Sequence, residues 1–71
     1  MRLSNPQFMA LQKLIDGEWG YLSVFSTHTR KSLVTRGLIT TRNVLGHWYS
    51  EYRITDSGRV AYLDNRATGG S

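Results

Sequence analysis

The segment from Ser26 to Thr55 limits the fold of this 71-residue chain more than any other. It opens with a basic stretch of helical spacing, followed by Gly37, a residue suited to the left-handed conformation that ends many helices. Two alternating stretches rich in β-branched and aromatic residues then flank Gly46, a pattern typical of a β-hairpin. The segment therefore predicts a helix, a sharp stop, and two strands joined by a loop near residues 45–49.

Helices are predicted on both sides of this segment. Residues 4–7 have the S-x-x-Q form of a capping box, and apolar residues then recur at helical spacing, which predicts a helix over residues 5–16. Residues 18–25 are rich in aromatic and apolar side chains and favour an extended strand, with a one-turn helix as the alternative. Thr55 is expected to cap a last helix over residues 56–64.

The predicted core draws on all of these elements. Leu33 is expected to anchor the basic helix, with Thr29 one turn before it and Val34 as a further candidate. In so small a domain the rings of Trp19 and Tyr21 are more often core than ligand-stacking groups. The other core candidates are Phe8, Leu11, Leu14, Ile15, Leu38, Ile39, Tyr52, Ile54, Val60, Ala61 and Leu63.

The placement of charge favours a polyanionic partner. Nine Lys and Arg against five Asp and Glu give a net charge of +4. Between Ser26 and Arg53 there are five basic residues and one acid, Glu51. Such a patch attracts nucleic acid, although a merely solvated basic face is the alternative that charge alone leaves open. The five basic residues are Arg30, Lys31, Arg36, Arg42 and Arg53.

Composition also limits the functional classes to which this chain can belong. The chain has no Cys, hence no disulfide and no thiolate metal site, and no apolar run approaches the ~18 residues of a membrane span. His28 and His47 lack clustered carboxylates, and no serine has an evident base, so neither a metal site nor catalysis is indicated. We expect a cytoplasmic, non-enzymatic protein without cofactor, with residues 1–66 as one domain and residues 67–71 as a disordered tail.

Two motifs resemble those of winged helix-turn-helix proteins. Residues 29–39, TRKSLVTRGLI, are similar to the T-x-x-x-L-x-x-R-G-L-I at the end of a recognition helix. Residues 52–59, YRITDSGR, resemble the Y-x-L-T-x-x-G-R after the wing of MarR-like regulators. The resemblance implies an α+β fold: helix, short strand or turn, recognition helix, two-stranded wing, C-terminal helix. It also suggests a small, trimmed version of the family, of the kind phages encode.

The chain departs from the family pattern at two points. The family usually has a full helix between the first helix and the recognition helix. Here only residues 19–26 are available, so that helix must be very short or missing. Arg30 stands where family members often bury an aliphatic residue. Both departures bear more on DNA binding than on fold.

The resemblance implies binding to duplex DNA by a small transcriptional or phage-type regulator. The recognition helix would enter the major groove, with His28 and Lys31 on bases and Thr27 and Thr35 on phosphates. One module of this size buries too little surface for tight and specific binding, so a homodimer or a second partner is implied. The remaining DNA-binding candidates are Arg30, Arg36, Arg42 and Arg53, the last two as phosphate contacts from the wing.

A protein-interaction module, acting as an adaptor or inhibitor of a host protein, is the alternative. Trimmed winged helices also serve this purpose, and Leu45, Trp48 and Tyr49 surround the predicted hairpin tip. Apolar residues exposed at a tip often mark a contact surface. They are equally consistent with a tip that folds back on the domain.

Overall fold

The computed structural model describes residues 2–43 and 50–69, with side chains through Ala67. In this part of the chain, three helices and a two-stranded antiparallel hairpin form an α+β fold. The elements, in chain order, are α1 (Asn5–Lys13), α2 (Thr27–Thr35), β1 (Ile39–Asn43), β2 (Ser50–Ile54) and α3 (Asp56–Gly69). Within the same residues, no helix has the length and apolar content that crossing a bilayer requires.

The predicted capping box at the start of α1 is confirmed. The Ser4 side chain accepts a hydrogen bond from the Gln7 amide at 3.4 Å, and the Gln7 side chain accepts one from the Ser4 amide at 2.9 Å. The helix ends at Lys13, earlier than predicted, because the chain tightens into a turn at Leu14, whose amide bonds to the Leu11 carbonyl at 3.0 Å. Gly17 follows with φ of 84°, the left-handed conformation that its lack of a Cβ permits.

The strand predicted over residues 18–25 is reduced to one bridge. Gly20 pairs with Tyr52 of β2 in the antiparallel sense, and residues 23–25 form a turn in which the Phe25 amide bonds to the Leu22 carbonyl at 3.0 Å. The Leu22 side chain is fully buried between the bridge and the turn. No helix lies between α1 and α2 in this described segment, so the element order differs from that of a full winged helix-turn-helix.

The hairpin has the alternation that the sequence predicted. Ile39 faces Ile54 and Thr41 faces Tyr52, whereas Arg42 faces Glu51 across the ladder. Ile39 is buried and the rest of β1 is exposed, so the hairpin leaves the core and extends into solvent. The predicted ends of the strands, Val44 and Tyr49, and the predicted loop between them lie outside the described residues.

The core lies where the helices meet the base of the hairpin. Leu11, Leu14, Leu22 and Leu33 are its largest fully buried side chains. The rings of Phe8 and Tyr62 stack with centroids 4.9 Å apart and join α1 to α3. Of the predicted core, these residues are confirmed as buried: Leu11, Leu14, Thr29, Leu33, Leu38, Ile39, Tyr52, Ile54 and Ala61.

Several predictions about the core and the last helix were wrong. Tyr21 and Val34 are exposed. Val60 and Leu63 of α3 are also exposed, because Ala61 and Tyr62 form the inward face of that helix. Trp19 is only half-buried. α3 continues past Asp64, its predicted end, to Gly69. A contact from the N-terminus supports this extension, since the Leu3 amide donates to the Asn65 side chain at 2.9 Å.

Candidate nucleic-acid interface

α2 is fixed at its N-terminus and along its inner face. The Ser26 side chain accepts a hydrogen bond from the Thr29 amide at 3.2 Å and lies 3.0 Å from the Thr29 hydroxyl, which satisfies one of the free donors that begin every helix. Thr29 and Leu33 are buried against the core. The buried side chain of Gln7 donates to the Ser32 hydroxyl at 2.8 Å. These contacts set which face of α2 points outward.

The outward face of α2 carries polar and cationic side chains. His28, Lys31 and Thr35 are exposed at successive helical turns, with Thr27 and Arg36 at the two ends of the helix. No Asp or Glu occurs in residues 26–50 of the sequence, so no acid on α2 opposes this charge. The face can donate hydrogen bonds and attract anions. Four of the eight DNA-binding candidates, Thr27, His28, Lys31 and Thr35, are exposed within about 100° of one another around the helix axis, and Arg36 is exposed at its C-terminal end.

Arg30, a predicted DNA contact, lies against its own helix. The residue is half-buried, and its guanidinium folds back along α2, with Nη2 donating to the Thr27 hydroxyl at 3.0 Å and Nε to the Ser26 carbonyl at 3.4 Å. These bonds tie Arg30 to the first turn of the helix. Arg30 therefore contacts the Thr27 hydroxyl, and these two bonds use two of the five N–H donors of its guanidinium.

The two wing arginines are held by intramolecular contacts. Arg42 pairs with Glu51 at 3.0 Å, and its guanidinium carbon lies 4.1 Å from the centroid of the Trp19 ring. The Nε of Arg53 donates to the Gly17 carbonyl at 2.8 Å, and its guanidinium carbon is 6.0 Å from the same ring. Both residues remain exposed to solvent. Each can reach a phosphate only with the donors that these contacts leave unused.

The position of Trp19 could not be predicted from local sequence patterns. Its ring meets Arg42 and Arg53 only because the Gly20 bridge places this part of the chain beside β2. The bridge is a single residue long, which strand periodicity cannot detect. The aromatic ring is therefore part of the basic hairpin surface and was not predicted to be so.

The predicted residues of the alternative protein-contact site, Leu45, Trp48 and Tyr49, lie outside the described residues. A different apolar surface is present on α3, where Val60 and Leu63, three residues apart and hence on one side of the helix, are 68% and 53% exposed. Both residues were predicted to lie in the core.

The described residues contain no group of three His, Asp or Glu side chains placed to hold a metal ion. Comparison with protein-family models, with curated proteins and with solved structures finds no match to the chain. Its function is therefore argued from the surfaces described above.

Proposed function

We propose that this protein is a small, trimmed winged-helix domain that binds duplex DNA through α2. The observation that carries the proposal is the exposed, acid-free outer face of α2, with His28, Lys31 and Thr35 on successive turns. One α-helix fits the major groove of B-DNA, where such donors can reach base edges and phosphates. The inner face of the same helix is anchored in the core, which orients the outer face as a unit.

The hairpin fits the role of a wing. It extends from the core directly after α2, and its described part carries Arg42 and Arg53. We propose that these arginines lie near the backbone of the bound duplex, while Lys31 and His28 enter the groove. The absence of a helix in residues 14–26 separates this domain from a full winged helix-turn-helix, in which a further helix supports the recognition helix. Here the Gln7–Ser32 hydrogen bond supplies direct support from α1.

An electrophoretic shift assay with random duplex at two salt concentrations tests the proposal. Because phosphate contacts release counterions, binding through this face must weaken steeply as salt rises. A shift at low salt that is lost at roughly 0.2 M salt is the expected result. The absence of a shift at low salt would contradict DNA binding by this surface.

A protein-interaction module is the second candidate function, and the exposed Val60 and Leu63 on α3 favour it. Exposed apolar side chains on one side of a helix are suited to contact with another protein. In that case Val60→Asp would abolish capture of the partner and Lys31→Ala would not, whereas DNA binding predicts that Lys31→Ala has the larger effect on function.

A further inference from the structure

A second surface of the molecule combines an aromatic ring with cations. We call it the Trp19 face and define it by Trp19, Thr40, Arg42, Glu51 and Arg53. The ladder pairs Thr40 with Arg53 and Arg42 with Glu51, so these four side chains lie on one side of the hairpin. The contacts of Arg42 and Arg53 with the indole place Trp19 on that side as well. The opposite side of the hairpin base carries the buried Ile39, Tyr52 and Ile54.

The surroundings of Trp19 differ from those of a ring that serves only as core. The indole is half-buried, and the groups above it are two exposed guanidiniums at 4.1 and 6.0 Å. A guanidinium above an indole makes a cation–π contact and leaves a flat, polar, positively charged surface toward solvent.

We propose that the Trp19 face is a stacking platform for single-stranded nucleic acid. Unpaired bases stack on aromatic rings and on guanidinium planes, and their phosphates are neutralised by neighbouring arginines. The face offers a ring and guanidinium planes for stacking. It also has a positive charge for phosphates, because its two arginines outnumber its single acid, Glu51. The hydroxyl of Thr40, exposed beside Arg53 in the ladder, adds a donor suited to a phosphate or sugar oxygen.

A single strand fits this surface better than a duplex does. The bases of a duplex are stacked on one another and present only their edges, whereas a flat aromatic and guanidinium surface engages a base through its face. The strand would lie across the hairpin, with a base over the Trp19–Arg42 pair and a phosphate near Arg53. This inference does not rest on duplex binding by α2. Arg42 and Arg53 would serve either ligand, but Trp19 belongs to this face and Lys31 to α2.

Fluorescence anisotropy with a labelled oligothymidylate of roughly 12 nucleotides, a length within the usual site size, tests the inference. The full-length parent should bind at low salt, and Trp19→Leu should weaken that binding about tenfold, the loss expected for one stacked base. Lys13→Ala, at an exposed position of α1 outside both surfaces, should bind the oligonucleotide as the parent does. No binding by the parent, or equal binding by folded Trp19→Leu, would overturn the platform.

Glu51→Gln keeps the inference testable if Trp19→Leu does not fold. The substitution removes the carboxylate that pairs with Arg42 at 3.0 Å and preserves the side-chain shape. It removes a negative charge beside the bound strand and releases the Arg42 guanidinium on which the base stacks, so the affinity for the oligothymidylate should rise several-fold. Unchanged or reduced affinity would contradict the placement of the strand over Arg42. Failure of duplex binding in the same preparations would count against α2 and leave this result standing.

Discussion

Gly20 and Tyr52 exchange both of their backbone hydrogen bonds: the Gly20 amide donates to the Tyr52 carbonyl at 2.8 Å, and the Tyr52 amide donates to the Gly20 carbonyl at 2.7 Å. β2 therefore has a bonded neighbour on each side, β1 on one and a single residue of the α1–α2 connection on the other. This bridge lies where the family pattern has a helix and where the sequence predicted a strand. It holds Trp19 beside the hairpin and fixes where α2 can begin.

Hydrogen exchange tests the importance of this bridge. The Gly20 amide should be protected to roughly the same degree as the Tyr52 amide, because the two bonds break in one opening event. The Glu18 amide is the comparison, since it bonds only to the exposed side chain of Asp16, at 3.0 Å. NMR-detected exchange measures all three amides in one sample. Exchange of Gly20 as fast as that of Glu18 would show that the bridge is not a stable part of the fold.

Gly58→Ala should destabilise the domain although it places a better helix former in α3. An alanine Cβ at this position would overlap the Leu38 carbonyl oxygen and lie 2.8 Å from a side-chain carbon of Ile54. The backbone carbonyl cannot move without shifting the chain between α2 and β1. We expect a loss of about 3 kcal/mol in the free energy of unfolding, measured by urea denaturation.

Gly37→Ala is the matched control for that prediction. Its Cβ would meet nothing within 4 Å, but the residue has φ of 74°, so the substitution has only the conformational cost of about 1 kcal/mol. A smaller loss for Gly58→Ala than for Gly37→Ala would contradict the close approach of α3 to the hairpin base.

The Gln7–Ser32 hydrogen bond should couple α1 to α2. Gln7→Ala removes this bond and half of the capping box, and a loss of about 1–2 kcal/mol in unfolding free energy is expected. A double-mutant cycle with Ser32→Ala should give a coupling energy of about 0.5–1 kcal/mol. Gln12→Ala, an exposed position of the same helix, should change stability by less than about 0.5 kcal/mol. A coupling energy of zero would mean that α1 does not support α2 in this way.

Much of the local structure could be predicted because its causes are local. The capping box at Ser4, the glycine after α2 and the cap at Thr55 each involve residues close in sequence, and each is confirmed. At Thr55, for example, the side chain accepts a hydrogen bond at 3.0 Å from the amide of Gly58, three residues further on. The alternation of the hairpin is likewise a property of its own residues.

The predictions that failed depend on distant partners. The Leu3–Asn65 contact spans most of the chain, and the sequence near Asn65 does not indicate that the helix continues past it. The candidate interface could be predicted only in part. The outer face of α2 follows from helical spacing around Leu33. The contacts of Arg42 with Trp19 and of Arg53 with Gly17 could not be predicted, because they join residues far apart in the sequence.

The most direct test of the account is a salt titration of duplex binding by the parent, Lys31→Ala and Lys13→Ala. Lys13 is exposed at the end of α1, so its removal changes the net charge equally without touching α2. If α2 enters the groove, Lys31→Ala weakens binding and lowers the slope of log affinity against log salt by about one unit. Lys13→Ala should match the parent, and all three proteins should have the same melting temperature within error. Identical titrations for the parent and Lys31→Ala would contradict the placement of α2 on DNA.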